Sequence, residues 1–457
     1  MNHYKYVRTV KEQQAERERQ RPIRYKLPKM LVEFVNSYGS IEKCRRYYLF
    51  GVIFLSFFIV IQFHQTCSIR KFHSYSIPII HIEINLPDHQ SEIRSKSLDN
   101  QCNQNNSMKS DLTKSSSIHL TRVYPWLHAA LFPIQSQSLM YCAIPKVASK
   151  TLVSLMIYVY VRDTIQNLTR NGTKPYIDQT QTQQYINIPR LIKELNKNGI
   201  TVDEKSQESN SLLSLIETYL HILRFETVND SLPSIFLNPW RFSIKDVFPQ
   251  VHFTSLKNLS DIFSPSFTRV LFVRHPFERL ASAYKERIAT LDKDRIESEP
   301  YYDNVRKTIC RRFSKRNRIQ HLPRPIIDQC LQTIPSFENF VQYILINTET
   351  SFGIARMDRH WQPYSTVCQV CKFQYNFIGK YETFDDDFHL LLKRLNVSDW
   401  NIKRRRRTSG HKTGDYQQLY SALLDHLICQ LKRLYKEDFQ LFNYRTEDYV
   451  NRIQLIR

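Results

Sequence analysis

The sequence predicts an α/β domain with a central parallel sheet flanked by helices, and two observations carry that prediction. The first is a pair of segments, YCAIPKVASKTL (Tyr141–Leu152) and RVLFVRHPFERLASAY (Arg269–Tyr284). Each runs from a short apolar stretch, read as a buried strand, through a loop with a basic residue and into a helical pattern. The second is that further helical patterns follow, at Phe337–Leu345 (FENFVQYIL) and Tyr416–Tyr435. Strand–loop–helix units spread along a domain, with helices after them, build a parallel sheet covered by helices.

Taken in chain order, residues 1–46 are charged, polar and poorly periodic, a tail. Tyr47–Phe63 (YYLFGVIFLSFFIVIQF) is uncharged and almost wholly apolar, which fits a short spanning helix. It begins too far from the N-terminus for an ordinary signal peptide. Lys43, Arg45 and Arg46 abut its first end, whereas Arg70 and Lys71 are the nearest cations beyond the other, so the tail faces the cytosol and the bulk of the chain the lumen. Residues 64–120, rich in Ser, Asn, Gln and His, read as a stem. The folded domain is expected over 121–457, with a polar insertion within 162–230. Luminal placement fits the sequons at Asn105, Asn167, Asn171, Asn229, Asn258 and Asn396. It also fits the cysteines, eight of nine of which follow the span and favour disulfides of undetermined connectivity.

The first unit has a strand at about 139–144, a loop over Pro145–Lys150 and a helix from about Thr151. The second has a strand at Val270–Arg274, Pro276 in the first helical turn, and a helix through about Ile288. The net charge of +22 implies an anionic partner. Nucleic acid, anionic lipid and acidic polysaccharide all qualify on charge alone. With only 8 glycines, and neither GxGxxG nor GxxxxGK[ST] anywhere, the usual dinucleotide and Walker A loops are excluded.

The two loops carry the chemistry. Lys146 follows the first strand directly. Its ammonium can hold a phosphate or stabilise a leaving oxygen, while the amides of Ala148–Thr151 and the hydroxyls of Ser149 and Thr151 wrap the same anion. Arg274 ends the second strand and Ser282 lies in the following helix; fork and hydroxyl suit a second phosphate. Each also reads as a structural residue when taken alone: Lys146 solvated in a turn, Arg274 at a strand end, Ser282 packed on the sheet. His275 is expected to face solvent. A third block holds His360-Trp-Gln-Pro, Cys368-Gln-Val-Cys371 and Tyr375–Glu382. His360 suits a general base, or equally a structural histidine beside Trp361. The CxxC is half a zinc site at most, and a disulfide-forming pair fits the lumen better. Asp292/Asp294 and Asp385/Asp387 match the DxD pattern of metal-dependent glycosyltransferases. Asp385–Asp387 also suit the acidic first turn of a helix over 388–395.

Together the stretches PKVASKT, FVRHPFERLASAY, PSFENFVQYIL, HWQPYSTVCQVCKFQYNFIGKYET and LYKEDFQLFNY (Leu434–Tyr444) resemble the Golgi carbohydrate sulfotransferases of the chondroitin 4-O-sulfotransferase and HNK-1 sulfotransferase group. They lie in order across about residues 139–445, and the tail is nearer the chondroitin branch. The resemblance implies a P-loop-like sulfotransferase domain on a single-pass type II Golgi anchor, using 3′-phosphoadenosine 5′-phosphosulfate (PAPS) as donor and no metal. Pro145, Lys146, Val147, Ala148, Ser149, Lys150 and Thr151 would form the 5′-phosphosulfate loop, and Arg274 and Ser282 the 3′-phosphate site. Lys146 would stabilise the departing oxygen and His360 would take the acceptor proton. The acceptor would be an acidic glycan, a GalNAc of a chondroitin/dermatan-type glycosaminoglycan, held by the basic runs Arg311–Arg318 and Arg404–Arg407, and not nucleic acid. Lys150 departs from the small hydroxyl residue usual at its position, which leaves open a non-catalytic glycan-binding protein. The DxD pairs leave open a metal-dependent glycosyltransferase.

Overall fold

In a computed structural model, residues 86–104, 116–170, 182–197, 209–224, 243–291, 300–313, 330, 333–397 and 413–450 are described, all within one unit, Ile84–Arg457. The expected span at 47–63, the cytosolic tail, Asp292/Asp294 and Arg404–Arg407 lie outside them. Among the described residues no helix is long and apolar enough to cross a membrane.

Four strands form one sheet in the order β1-β2-β3-β4: Leu131–Ile134, Leu139–Cys142, Thr268–Val273 and Phe377–Lys380. Strands β2, β3 and β4 are parallel, with Cys142 opposite Leu271 and Val273 opposite Lys380. The expectation of a wholly parallel sheet is corrected at β1, which pairs antiparallel with β2. A tight turn over Gln135–Gln137, closed by Ser138 at φ 45°, makes the two a hairpin. Pro133 has no N–H to donate, which is tolerated because β1 is an edge.

After β2 the chain enters α1, Ser149–Arg170, whose residues 151–161 are all buried. A stretch apolar on every face suits a helix enclosed on all sides, and each fully buried Leu, Ile or Val there contributes about 1.5–3 kcal/mol. The same helix runs into the expected insertion. There Ile188–Lys197 and Ser209–Arg224 add further helices, and the second packs on α1 through Leu215, Ile216, Tyr219 and Leu223. After β3, α2 (Pro276–Ala283) continues into a π-helical turn, Tyr284–Ile288. A second core forms around Phe277, Leu280, Phe340, Trp361 and Tyr420.

Three expectations are corrected here. The pattern over Tyr416–Tyr435 is two helices, Thr413–Ser421 and Asp425–Leu434, because Leu424 is extended (ψ 144°) and starts the second. Part of the expected stem, Leu86–Gln104, is a helix fixed to the domain: Arg94 donates to Asp387 at 2.7 Å and Cys102 is bonded to Cys371. The two cysteines of the CxxC do not pair with each other, since Cys368 is bonded to Cys142. Cys310–Cys330 is a further disulfide.

Candidate active site

The three parallel strands end side by side, and in such sheets ligands bind beyond the carboxyl ends of the strands. At the end of β2, Cys142 is fixed to Cys368, and the loop that follows holds two non-glycine residues in the left-handed region, Lys146 (φ 75°) and Ala148 (φ 60°). Such residues persist only where their surroundings hold them, and they gather at ligand-binding loops. Alternation of this kind also turns successive amides into anion-binding concavities. The second unit supplies part of the restraint: Arg274 Nη1 donates to the Lys146 carbonyl at 3.3 Å. The first loop and the Arg274 site therefore adjoin. Ser149 and Thr151 are buried in the first turn of α1, whereas Lys150 between them is exposed.

Arg274 is 4% exposed, and its guanidinium lies 4.2 Å from the ring centroid of Tyr381. Its Nη2 pairs with Glu278 in the first turn of α2, while its buried Nε has no hydrogen-bond partner among the described residues. A guanidinium walled by aromatic rings, with a donor left over, fits an anion. Glu278 is itself fixed by the Tyr449 hydroxyl at 2.5 Å. The Tyr364 hydroxyl accepts from Arg274 N (3.0 Å) and donates to Arg274 O (2.9 Å), pinning the backbone. Ser282 is buried on α2. His275 does not face solvent as expected: it is buried, its Nδ1 accepts from Phe277 N to cap α2, and its Nε2 donates to Arg445 O at 2.8 Å.

Lys146 and His360 share one cluster. The Lys146 side chain is 7% exposed and pairs with Glu286, which also meets Arg287 at 3.5 Å. Burial pushes Lys146 down, to about 8, against the pull of Glu286. Burial would raise Glu286, but Lys146 and Arg287 beside it bring it down to about 2. His360 is set by a dyad. Its Nδ1 lies 2.7 Å from Asp358 Oδ1, its amide donates to the same oxygen at 2.7 Å, and the Tyr302 hydroxyl donates to Asp358 Oδ2 at 3.2 Å. Burial pushes His360 down to about 4; Asp358 opposes this, and Arg287 and Lys146 add to it. The imidazole is therefore neutral near pH 7. The Tyr302 hydroxyl also lies 2.9 Å from Nδ1, and in the tautomer that gives Nδ1–H to Asp358 the lone pair is on Nε2.

Sequence reasoning missed Glu278, Glu286, Arg287 and Asp358. Glu278 carried a signal, an acid four residues after Arg274 in the first turn of the following helix. Glu286 and Arg287 gain their meaning from the π turn, a feature frequent at functional sites. Among the described residues no cluster suited to a metal occurs. Asp385–Asp387 form the acidic first turn of the helix Phe384–Arg394, and Asp387 is occupied by Arg94, Lys380 N and Thr383.

Fold and site define an α/β protein whose parallel strands β2 and β3 end in two adjoining basic loops. Residues 131–445 match the model of the sulfotransferase family, and the chain belongs to that family. It is 32% identical over 196 residues to carbohydrate sulfotransferase 12 of Xenopus laevis, covering 42% of this chain and 43% of that protein. It is 32% identical over 189 residues to carbohydrate sulfotransferase 11 of Rattus norvegicus (40% and 49%). Against carbohydrate sulfotransferase 8 of Homo sapiens the identity is 31% over 186 residues (39% and 39%). The chain thus spans less than half the length of these curated relatives. No solved structure matches it.

Proposed function

We propose that this chain is a carbohydrate sulfotransferase that moves the sulfuryl group of PAPS to a glycan hydroxyl. One observation supports the reading above the others: the Lys146 loop, Arg274 and His360 come from three distant parts of the sequence and adjoin at the carboxyl ends of the parallel strands. When bound, the donor supplies an activated sulfuryl group between two phosphate ends. Arg274, with its unpartnered Nε, and Ser282 hold the 3′ end. The amides and hydroxyls of Pro145–Thr151, Lys150 through its backbone, hold the 5′ end. Lys146, released from Glu286, neutralises charge on the departing oxygen. His360 Nε2 takes the proton of the acceptor hydroxyl, and Asp358 stabilises the imidazolium that results.

The finer reading is a single-pass type II Golgi protein with this domain in the lumen, acting on a GalNAc of chondroitin/dermatan-type glycosaminoglycan. The net charge of +22 favours an acidic acceptor, and the names of the relatives favour a carbohydrate one. The engagement of Asp387 by Arg94, Lys380 N and Thr383 weighs against a metal at the Asp385/Asp387 pair. Incubating the full chain with labelled donor and a panel of desulfated glycosaminoglycans tests the reading. Label on a chondroitin backbone is expected, and Lys146→Ala or Arg274→Ala should lower transfer by at least about 100-fold with folding retained. Undiminished transfer in both variants would sink the site assignment.

A further inference from the structure

This inference rests on the reading just given, in which Lys146 and His360 act together. Their two loops are joined by one side chain. Arg279, on α2, is 1% exposed, and its guanidinium lies 4.5 Å from the ring centroid of Tyr364. It meets three backbone carbonyls: Nε donates to Pro145 O at 3.2 Å, Nη1 to Gln362 O at 2.7 Å and Nη2 to Arg359 O at 2.5 Å. Pro145 immediately precedes Lys146, while Arg359 and Gln362 bracket His360. With Arg274 on the carbonyl of Lys146 itself, both carbonyls flanking the left-handed Lys146 are held by arginines of the second unit.

Burying a cation costs several kcal/mol unless its donors are satisfied. Here the neutral carbonyls of Pro145, Arg359 and Gln362 satisfy them. The buried Asp438 is turned to the amides of Tyr364 (2.8 Å) and Ser365 (3.0 Å), on the same loop. The planar guanidinium presents donors in fixed directions, which a lysine cannot reproduce. Its contacts fall on the two loops that must face each other across the reacting centre. We propose that Arg279 is a positioning residue, a brace that sets the His360 loop in register with the Lys146 loop without touching donor or acceptor.

The test is Arg279→Lys, which keeps the charge and loses the fork. Adenosine 3′,5′-bisphosphate binding, measured by calorimetry, should stay within about threefold. The turnover number should fall by about 100-fold, as expected for a misplacement of reacting groups by around 1 Å. Hydrogen exchange at residues 359–362 should speed up. The titration midpoint of the His360 ring, faced by Asp358, Tyr302, Lys146, Glu286 and Arg287, should rise from about 4 toward its ordinary value as the loop loosens. A folded Arg279→Lys protein with unchanged turnover and exchange would overturn the proposal. So would a loss of nucleotide binding in proportion to turnover, which would make Arg279 part of the donor pocket. If that variant does not fold, Tyr435→Phe decides, because the Tyr435 hydroxyl donates to Trp361 O of the same loop at 2.6 Å. Turnover lower by about tenfold with nucleotide binding intact supports the brace, and unchanged turnover rejects it. Full activity in both Lys146→Ala and His360→Ala would instead reject the underlying reading. Their loss alongside an unaffected Arg279→Lys rejects the brace alone.

Discussion

Each cation assigned to a phosphate-like end is paired with a glutamate of the helix after β3: Arg274 with Glu278, and Lys146 with Glu286. The pairing sets the protonation of the site. A proton acceptor must be neutral, and His360 is held down to about 4 by burial. In the proposed reaction the cation at the departing oxygen must be protonated, and burial holds Lys146 to about 8. The kcat/KM of the full chain, which reports the unliganded site, should therefore rise as pH climbs through about 4, level off, and fall through about 8. Glu286 is the group that raises Lys146, so Glu286→Gln should move the falling limb to lower pH. A falling limb that stays in place would contradict the role given to Lys146. Lys146, Arg274 and Ser282 were legible in the sequence because each sits at a fixed place in a strand–loop–helix unit. Asp358 and Glu286 were not, because a carboxylate two residues before a histidine, or one within a helix, is ordinary until the fold brings its partner to it.

At the scale of elements, β4 is positioned by the absence of a side chain. Gly379 lies opposite Phe272 of β3, and a Cβ there would come within 2.3 Å of the Phe272 ring, which is buried and packed on Phe377 and Phe384. The ring has no room to yield. Gly379→Ala should destabilise the fold by about 1–3 kcal/mol, as overpacking does, measured by denaturant unfolding. A neutral substitution would show that β4 can shift away from β3. The parallel strands β2 and β3 were legible from their apolar runs and the basic loops after them, whereas β4, a four-residue FIGK, was not. The edge strand β1 was not, since LFPI is short and carries a proline, and its pairing rests on the turn at Ser138. The break between Ser421 and Asp425 was also hidden, because Ala422-Leu423-Leu424 contains no helix breaker and keeps the apolar rhythm.

At the scale of the whole molecule, the disulfides tie distant sequence to the site. Cys368 and Cys371 fasten one short segment to the end of β2 and to the helix Leu86–Gln104, across separations of 226 and 269 residues. The spacing suggested half a zinc site or a disulfide-forming pair and gave no connectivity, which depends on which cysteines the fold brings together. Replacing Cys142 and Cys368 together by serine should cost about 2–5 kcal/mol, read from unfolding under oxidising conditions. A loss below that range would mean that packing alone fixes the loop after β2. The central claim is that the loops after β2 and β3 are two ends of one donor pocket. Calorimetric binding of adenosine 3′,5′-bisphosphate to the full chain and to Arg274→Ala tests it most directly. The predicted result is one site in the parent chain, weakened at least about 100-fold in the variant. Equal binding by both proteins, or none by the parent chain, would contradict it.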